Sequence, residues 1–417
     1  MPSIYVEGKK RLTGKIKVQG SKNAVLPIIA ASVLIDGKSV ITNCPKINDV
    51  ETSIKILEQL GAVCSFEDNC LIIDSTNINK SAVREDLMRE MRSSSLFLGS
   101  VLGRMNEAVI SSPGGCDLGP RPIDIHIRSM RSLGADISER NGYIFFSAKN
   151  GLKGTYTVLP FPSVGATENT IVASVLARGK TVIENCAKEP EIVELADFLN
   201  KAGARITGAG SDRIVIEGVK KLRSVTFAVG FDRIVAATYI SAAAVTGGDV
   251  LLCDVDTSKM RSVISVFEEA GCNFSYEENA IRVRCRDRLN SLSTVKSHVY
   301  PGFPTDAGPT LISALSVAKG TSIFIESIFE NRYDFACELR RMGADVKIDG
   351  RTAVILGREN LYGARCVATD LRGGAALVVA GLSACGTTII DRTDHIKRGY
   401  QDIVGDLAAV SADIKEI

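Results

Sequence analysis

The sequence predicts an α/β protein of two domains, built from six repeated units of βαβαββ type. Small residue pairs return roughly every 70 residues, and a fixed period of self-similarity is typical of repeated structural units. Glycine-led strand patterns precede several pairs, as in GKSVITN from Gly37 and GKTVIEN from Gly179. Apolar helical segments precede those strands, as in NAVLPIIAASVL from Asn23. The small pairs are Gly61-Ala62, Gly134-Ala135, Gly203-Ala204, Gly271-Cys272, Gly343-Ala344 and Ser411-Ala412.

Each unit reads as helix, strand, helix and hairpin, but the sixth lacks its last strand. The segment DIKEI at 413–417 has no following partner of the kind seen at 213–222, RIVIEGVKKL. The N-terminal segment SIYVEGKKRLTGKIKV from Ser3 has the same alternation and the same Glu-Gly turn. Because folded proteins avoid an exposed unpaired edge strand, we expect residues 1–20 to complete the sixth unit.

The number of units predicts the domain division. A single hydrophobic core stops growing at roughly 250 to 300 residues, so six units of this length require two domains. Three units per domain place the boundary near Val229. The predicted first domain is 21–229, and the second is 1–20 together with 230–417.

Composition is typical of a cytoplasmic protein. The net charge of +2 gives no excess of the kind that indicates nucleic-acid or membrane binding. The N-terminus lacks a signal-peptide pattern, and the apolar segments are too short or too interrupted to span a bilayer. The eleven cysteines show no CxxC or Cys/His spacing, which favours buried reduced thiols over disulfides or zinc.

Charged groups are concentrated where helices are expected to begin. Because helix N-termini present free N–H groups and a partial positive charge, added Lys and Arg side chains would make anion sites there. Surface charge is the ordinary alternative for each residue taken alone. The entrances to the first helices carry Lys22-Asn23, Arg92, Ser163-Val164-Gly165, Asp232-Arg233, Asp306 and Arg372, and those to the second helices carry Cys116 with Arg121, Glu189 with Glu191, Arg332 and Arg398.

The segment SSPGGCDLGPRPID at 111–124 is the strongest local signal. Its glycines and prolines exclude a helix or a regular strand and predict a loop. A thiol on such a loop is accessible, and the nearby Arg121 would favour the Cys116 thiolate. The alternative is a glycine-rich turn with an incidental buried cysteine. His126, His298 and His395 show no metal-ligand spacing, and we interpret them as structural or peripheral.

Eight motifs together resemble the UDP-N-acetylglucosamine 1-carboxyvinyltransferase family over essentially the whole chain. They are GSKNAVLP at 20–27, PGGCDLGPRPID at 113–124, SVGATEN at 163–169, EPEI at 189–192, FPTD at 303–306, FENR at 329–332, ATDLR at 368–372 and HIKRGY at 395–400. The resemblance implies a two-domain, inside-out α/β barrel. It also implies transfer of the enolpyruvyl group of phosphoenolpyruvate to the 3-hydroxyl of UDP-N-acetylglucosamine, the opening step of peptidoglycan synthesis, with no cofactor.

The resemblance also implies roles for individual residues. Cys116 would give a proton to the enol methylene carbon, and Asp306 would take the proton of the sugar hydroxyl. Lys22, Arg121 and Arg398 would hold phosphoenolpyruvate, with Arg92 and Arg372 nearby and Arg332 in the same site. Asn23 and Ile328 would contact the sugar. The uracil would lie along Arg121, Pro122, Ile123, Asp124 and Ile125, and the diphosphate against Ser163, Val164 and Gly165.

Two departures from the family pattern keep alternatives open. After FPTD the family usually has a large apolar residue and Gln, but this chain has Ala307-Gly308-Pro309; after Asp232-Arg233-Ile234 it usually has Glu, but this chain has Val235. One alternative is an enolpyruvyl transferase for another acceptor, such as shikimate 3-phosphate. The other is a non-catalytic paralogue that binds the UDP-sugar. The sequence does not reveal the oligomeric state.

Overall fold

The computed structural model describes residues 2–111, 114 and 123–417, which form a mixed α/β fold. The strands are β1 Ile4–Glu7, β2 Thr13–Lys17, β3 Ile35–Thr42, β4 Val63–Glu67, β5 Cys70–Asp74, β6 Glu107–Ser111, β7 Asp136–Arg140, β8 Tyr143–Ser147, β9 Tyr156–Val158, β10 Lys180–Glu184, β11 Arg205–Thr207, β12 Arg213–Glu217, β13 Leu222–Ala228, β14 Asp249–Cys253, β15 Asn273–Glu277, β16 Ala280–Arg284, β17 Val295–Lys296, β18 Thr321–Ile325, β19 Asp345–Asp349, β20 Thr352–Leu356, β21 Arg365–Val367, β22 Thr387–Asp391 and β23 Asp413–Glu416.

Helices alternate with these strands. The α-helices are α1 Lys22–Ala31, α2 Asn48–Leu60, α3 Glu85–Glu90, α4 Phe97–Met105, α5 Asp124–Ser132, α6 Val164–Ser174, α7 Pro190–Lys201, α8 Arg233–Val245, α9 Arg261–Glu269, α10 Gly308–Leu315, α11 Ala336–Arg341, α12 Leu371–Ser383, α13 Asp394–Lys397 and α14 Ile403–Ala408. Short 3₁₀ helices span Ser32–Leu34, Arg92–Leu96, Thr257–Met260 and Thr305–Ala307. In the described part of the chain, no helix is both long and apolar enough to cross a bilayer.

The described chain divides into two compact units. One contains 2–19 and 231–417, and the other contains 20–111, 114 and 123–230. The second of these holds the sheets β13-β3-β5-β4, β6-β8-β7 and β11-β12-β10-β9. The first holds β15-β16-β14-β2, β17-β18-β20-β19 and β21-β22-β1-β23.

The small residue pairs end helices and start hairpins through backbone geometry. Gly61 follows α2 with a φ of 111°, and its N–H donates to the carbonyls of Leu57 and Glu58. A left-handed residue is the usual end of a helix, and glycine adopts it without a steric cost. The equivalent residue of the last pair is Ser411, which also has a positive φ, of 75°. The repeated pairs are therefore repeated helix ends.

The first strand joins the last one. β1 lies between β22 and β23 in its sheet and is antiparallel to both, with Ile4 opposite Ile390 on one side and Glu416 on the other. β2 instead pairs in parallel with β14. The N-terminal segment thus contributes strands to two sheets of one unit. β1 is the partner of the C-terminal strand β23, after which no further strand follows in the sequence.

Buried helices lie at the centre of each unit. All thirteen residues of α12 and all eight of α10 are buried, and these helices pack against each other and against α8. In the other unit α4 packs against α1 and α6. Helices that are buried on every side are core helices, and this explains why these segments show little amphipathic pattern in the sequence.

The cysteines correct one expectation. All ten described cysteines are free thiols, but five are buried, three are half-buried, and Cys337 and Cys385 are exposed. Cys337 lies on the outer side of α11, and Cys385 lies in the turn before β22. Burial therefore follows the position of each cysteine along its element, which cysteine content alone does not specify.

Candidate active site

Most of the charged segments named above lie at helix starts, as the sequence predicts. Lys22 is the first residue of α1, and Arg372 is the second of α12. Arg92 begins a 3₁₀ helix, and Ser163 caps α6 by accepting a hydrogen bond from the Ala166 N–H at 3.4 Å. Asp306 lies in the 3₁₀ helix that leads into α10. Some N–H groups there are already capped, since those of Arg372 and Gly373 donate to the Asp370 carboxylate. These side chains therefore lie where the helix dipole places a partial positive charge.

Asp306 is held between two arginines. Its Oδ1 atom lies 2.5 Å from Nη2 of Arg332, and its Oδ2 atom lies 3.4 Å from Nη2 of Arg372. Both arginines are 2% exposed as residues, whereas the Asp306 side chain remains 26% exposed. Arg332 also donates to the carbonyl of Thr305 at 3.1 Å. The carboxylate is therefore fixed in orientation and partly exposed to solvent.

Arg372 keeps unused hydrogen-bond donors beside this carboxylate. Burial lowers the pKa of Arg372, but the charges of Asp306, Tyr400 and Asp232 outweigh burial and raise it, so the guanidinium stays charged. Its Nε and Nη1 atoms are buried and make no hydrogen bond within residues 2–111, 114 and 123–417. Since buried donors are nearly always paired, these two are suited to an anionic guest.

Lys22 forms a second buried ion pair. Its Nζ atom lies 2.6 Å from Oδ2 of Asp49, and the two side chains are 10% and 4% exposed. Asp49 lies in the first turn of α2, where the helix dipole favours a carboxylate. Asn23, the next residue after Lys22, is half-buried. The sequence analysis missed Asp49. The one feature of the sequence that could have indicated it is an acidic residue in the first turn of the second helix.

The start of α6 lies against a buried histidine. His126 is 6% exposed, and its Nδ1 atom lies 2.8 Å from the side-chain amide nitrogen of Asn169, which makes Nδ1 the acceptor. Burial, helped by the charge of Arg92, lowers the pKa of His126 to about 4. A Cβ atom on Gly165 would lie 3.2 Å from the ring, so the backbone there requires a small residue. The structure thus brings Arg92, His126 and Gly165 together.

Glu326 organises the segment that carries Ile328. Its buried carboxylate accepts hydrogen bonds from the N–H groups of Ile328 at 2.7 Å and Phe329 at 3.1 Å. It also accepts from the hydroxyls of Ser297 at 2.9 Å and Thr305 at 2.7 Å. Thr305 directly precedes Asp306, so one carboxylate fixes both segments. Sequence reasoning missed Glu326, because a buried acid after a strand carries no motif.

The remaining residues of the expected site are less closely connected. Ile123 and Ile125 are half-buried and Asp124 is exposed at the start of α5, while Val164 is half-buried at the start of α6. Arg398 is half-buried between α13 and α14, and burial with the charges of Arg392 and Arg398 lowers the pKa of His395. Cys116, Arg121 and Pro122 lie outside the described residues.

The departures at Ala307-Gly308-Pro309 and Val235 are structurally accommodated. A Cβ atom on Gly308 would lie 2.8 Å from the ring of Phe324, so this ring fills the space that a side chain at 308 would need. Phe324 is fully buried and packs edge-on against Phe303, with 6.0 Å between ring centroids. Val235 is fully buried in α8, and its N–H donates to the capping Asp232. The ion pairs of Asp306 and Lys22 are present alongside both departures.

Comparison with known proteins gives consistent relatives. The sequence model of EPSP synthase (3-phosphoshikimate 1-carboxyvinyltransferase) matches residues 6–407. "UDP-N-acetylglucosamine 1-carboxyvinyltransferase 2" of Caldanaerobacter subterraneus subsp. tengcongensis is 46% identical over 417 residues, covering all of both chains. "UDP-N-acetylglucosamine 1-carboxyvinyltransferase 1" of Staphylococcus aureus (strain N315) is 43% identical, again over all of both chains.

Solved structures agree in fold. The enolpyruvyl transferase NikO from Streptomyces tendae superimposes with a TM-score of 0.89 at 21% identity, covering 100% of this chain and 98% of that one. EPSP synthase from Acinetobacter baumannii superimposes with a TM-score of 0.77 at 19% identity over all of both chains. The sequence identity above 40% over the full chain is more specific than the structural similarity at about 20% identity. The chain therefore belongs to the enolpyruvyl transferase family, among the UDP-N-acetylglucosamine 1-carboxyvinyltransferases.

Proposed function

We propose that this chain transfers the enolpyruvyl group of phosphoenolpyruvate to the 3-hydroxyl of UDP-N-acetylglucosamine and releases phosphate, in the cytoplasm, as the first committed step of peptidoglycan synthesis. The observation that carries the proposal is the Asp306 carboxylate, fixed by Arg332 and Arg372 and partly exposed to solvent. An oriented base beside unused guanidinium donors suits proton removal from a hydroxyl next to an anionic co-substrate.

The chemistry divides between a base and an acid. Asp306 takes the proton of the sugar 3-hydroxyl, and the hydroxyl oxygen attacks the C2 carbon of phosphoenolpyruvate. Cys116 delivers a proton to the methylene carbon. In the elimination, the Cys116 thiolate takes a proton back from the methyl carbon, the C=C double bond forms again, and the C2–O bond to phosphate breaks to release phosphate. Cys116 is also the residue able to form a covalent adduct with phosphoenolpyruvate.

Binding follows the charge arrangement. Lys22, Arg121 and Arg398 hold the phosphate and carboxylate of phosphoenolpyruvate, with Arg92 and Arg372 adjoining. The diphosphate binds at Ser163, Val164 and Gly165, at the start of α6. The N–H groups of Val164 and Gly165 receive it, because the Ser163 N–H donates to the Phe161 carbonyl at 2.7 Å. Asn23 and Ile328 contact the sugar, and residues 121–125 contact the uracil. The proposed reaction uses no metal and no cofactor.

We also propose the finer architecture of six βαβαββ units in two inside-out barrels, with domains 21–229 and 1–20 plus 230–417. A recurring backbone bond supports the equivalence of the units. In four units, the residue after the last hairpin strand donates its N–H to the carbonyl of the residue just before the central strand. In a fifth unit, the acceptor is the carbonyl of the third residue of that strand. These bonds are Gly8 to Gly386, Ser75 to Gly37, Gly218 to Gly179, Cys285 to Gly248 and Gly357 to Gly320.

A phosphate-release assay tests the activity. The purified chain is incubated with phosphoenolpyruvate and either UDP-N-acetylglucosamine, shikimate 3-phosphate or no acceptor. We expect phosphate release only in the reaction that contains UDP-N-acetylglucosamine as acceptor. Release with shikimate 3-phosphate instead would assign another acceptor, and binding of the UDP-sugar without release would identify a non-catalytic paralogue. Asp349→Asn, at an exposed strand end, is the control variant that should match wild type.

A further inference from the structure

The fourth repeated hairpin places two cysteines opposite each other. Strands β15 and β16 are antiparallel, with Asn273 opposite Arg284. Cys272 directly precedes β15 and Cys285 directly follows β16, so extension of this register by one residue makes them a cross-strand pair. Residues directly opposite in an antiparallel pair project to the same face of the sheet.

The backbone geometry at this pair suits a disulfide. The N–H of Cys272 donates to the carbonyl of Phe267, and the N–H of Cys285 donates to the carbonyl of Gly248, so the two residues exchange no backbone hydrogen bond. In such a non-hydrogen-bonded pair the Cα atoms are about 4.5 Å apart, within the range of roughly 4.4 to 6.8 Å that disulfides span. The backbone pairing is therefore compatible with a disulfide.

Burial and the pKa values of the two thiols also bear on their reactivity. Both residues are buried, at 4% and 1% exposure. Interaction between the two thiols raises the pKa of Cys272 and lowers the pKa of Cys285, whose Sγ also donates to the Asp287 carbonyl at 3.5 Å. Cys285 is therefore the thiol that ionises first, and a thiolate is the form that reacts with oxidants.

The other five hairpins show that the fold does not require cysteine here. In the other hairpins, the strand register places only small residues at the matching positions, because backbone atoms of a neighbouring segment lie close to these residues. A Cβ atom on Gly218 or Gly357 would lie within 2 Å of a carbonyl oxygen. The matching pairs are Ala62 with Ser75, Ala135 with Ala148, Ala204 with Gly218, Ala344 with Gly357 and Ala412 with Gly8.

We propose that Cys272 and Cys285 are a redox-active pair that peroxide oxidises to a cross-strand disulfide. The Cys285 thiolate attacks one peroxide oxygen and the O–O bond breaks, which gives a sulfenic acid and hydroxide. The hydroxide takes up the proton that the thiol had released and becomes water. The Cys272 sulfur then attacks the sulfenic sulfur, the S–S bond forms, and a second water leaves. Two electrons pass from the two sulfurs to the peroxide, and a dithiol reductant reverses the change. The bond joins the end of α9 to the end of β16.

Peptide mapping tests the proposal without reference to activity. The full chain is treated with hydrogen peroxide, remaining thiols are alkylated, and the digest is compared by mass spectrometry with and without dithiothreitol. We expect a reducible cross-link between the peptides that contain Cys272 and Cys285. Cys64 and Cys70 are matched controls, since the corresponding hairpin β4–β5 places them opposite Ile73 and Glu67, and they should stay unlinked.

Variants keep the test decisive. Cys272→Ala restores the residue of the other five hairpins and is expected to fold, so loss of the cross-link in this variant would support the pair. Oxidation should raise the melting temperature of the wild type and leave that of Cys272→Ala unchanged. The proposal is overturned if Cys272 and Cys285 remain alkylatable under peroxide that fully oxidises the exposed Cys337 and Cys385, or if either links to a different cysteine.

Discussion

Replacement of Glu326 provides the sharpest test of how the site is held. Its carboxylate accepts four hydrogen bonds, from Ser297, Thr305, Ile328 and Phe329, at 2.7 to 3.1 Å. Glu326→Ala would leave these donors without their acceptor. A buried donor without a partner costs about 1–3 kcal/mol, and because such losses are not additive we expect about 4 kcal/mol in all.

Glu326→Gln is the informative comparison. The amide oxygen can still accept from Ser297, Ile328 and Phe329, and the amide nitrogen can donate to the hydroxyl oxygen of Thr305. This variant loses only the negative charge of the acceptor, and we expect its free energy of unfolding to fall by about 1 kcal/mol. The alanine variant should also raise KM for the UDP-sugar, because Ile328 loses its backbone anchor, and the glutamine variant should largely restore it.

Denaturant unfolding and steady-state phosphate release measure these effects. Glu330→Ala, whose side chain is 58% exposed in the same segment, is the matched control and should change the unfolding free energy by less than about 0.5 kcal/mol. If Glu326→Ala unfolds and turns over like Glu330→Ala, the idea that this carboxylate positions Ile328 and Asp306 is wrong.

Three further changes test other parts of the site. Asp306→Asn should lower turnover about a hundredfold or more with little change in sugar affinity, since an amide cannot accept the proton; lost binding with retained turnover at saturation would contradict a base. Cys116→Ala should abolish turnover while UDP-sugar binding persists, Cys116→Asp should retain some activity, and fosfomycin should label Cys116 alone among the eleven cysteines, so labelling elsewhere would count against it. The pKa of His126 is about 4 when folded against 6.5 unfolded, so the unfolded chain takes up the proton first and about 3 kcal/mol of stability is lost as pH falls between these values. His126→Gln should lose that part of the pH dependence in unfolding experiments, and an unchanged slope would refute it.

Helix starts were predictable because their signals are local. A polar or charged residue followed by an apolar run marks the starts of α1, α8 and α12, and Asp232 and Asp370 cap the latter two through their side chains. The small pairs were predictable for the same reason, since each needs a particular backbone conformation at one residue.

The connections between elements were not predictable from local signals. Asp49 meets Lys22 from another helix, and Glu326 meets Ser297 from a strand 29 residues away. Such pairs depend on packing that one sequence does not specify. Gly308 and Phe324 show this most directly, because a departure from the family pattern at one position is filled by a side chain from another element.

The position of β1 between β22 and β23 sets an order of events during synthesis. The described residues 20–111, 114 and 123–230 belong to one compact unit and precede residues 231–417 of the other, so most of this unit can fold before the rest of the chain leaves the ribosome. β1 is made before that unit, yet its neighbours β22 and β23 follow hundreds of residues later. At about 5–20 residues per second, the first strand waits on the order of 20 to 80 seconds for its partners. During that interval it is an unpaired strand on an unfinished chain, which makes the N-terminal segment a natural place for chaperone contact.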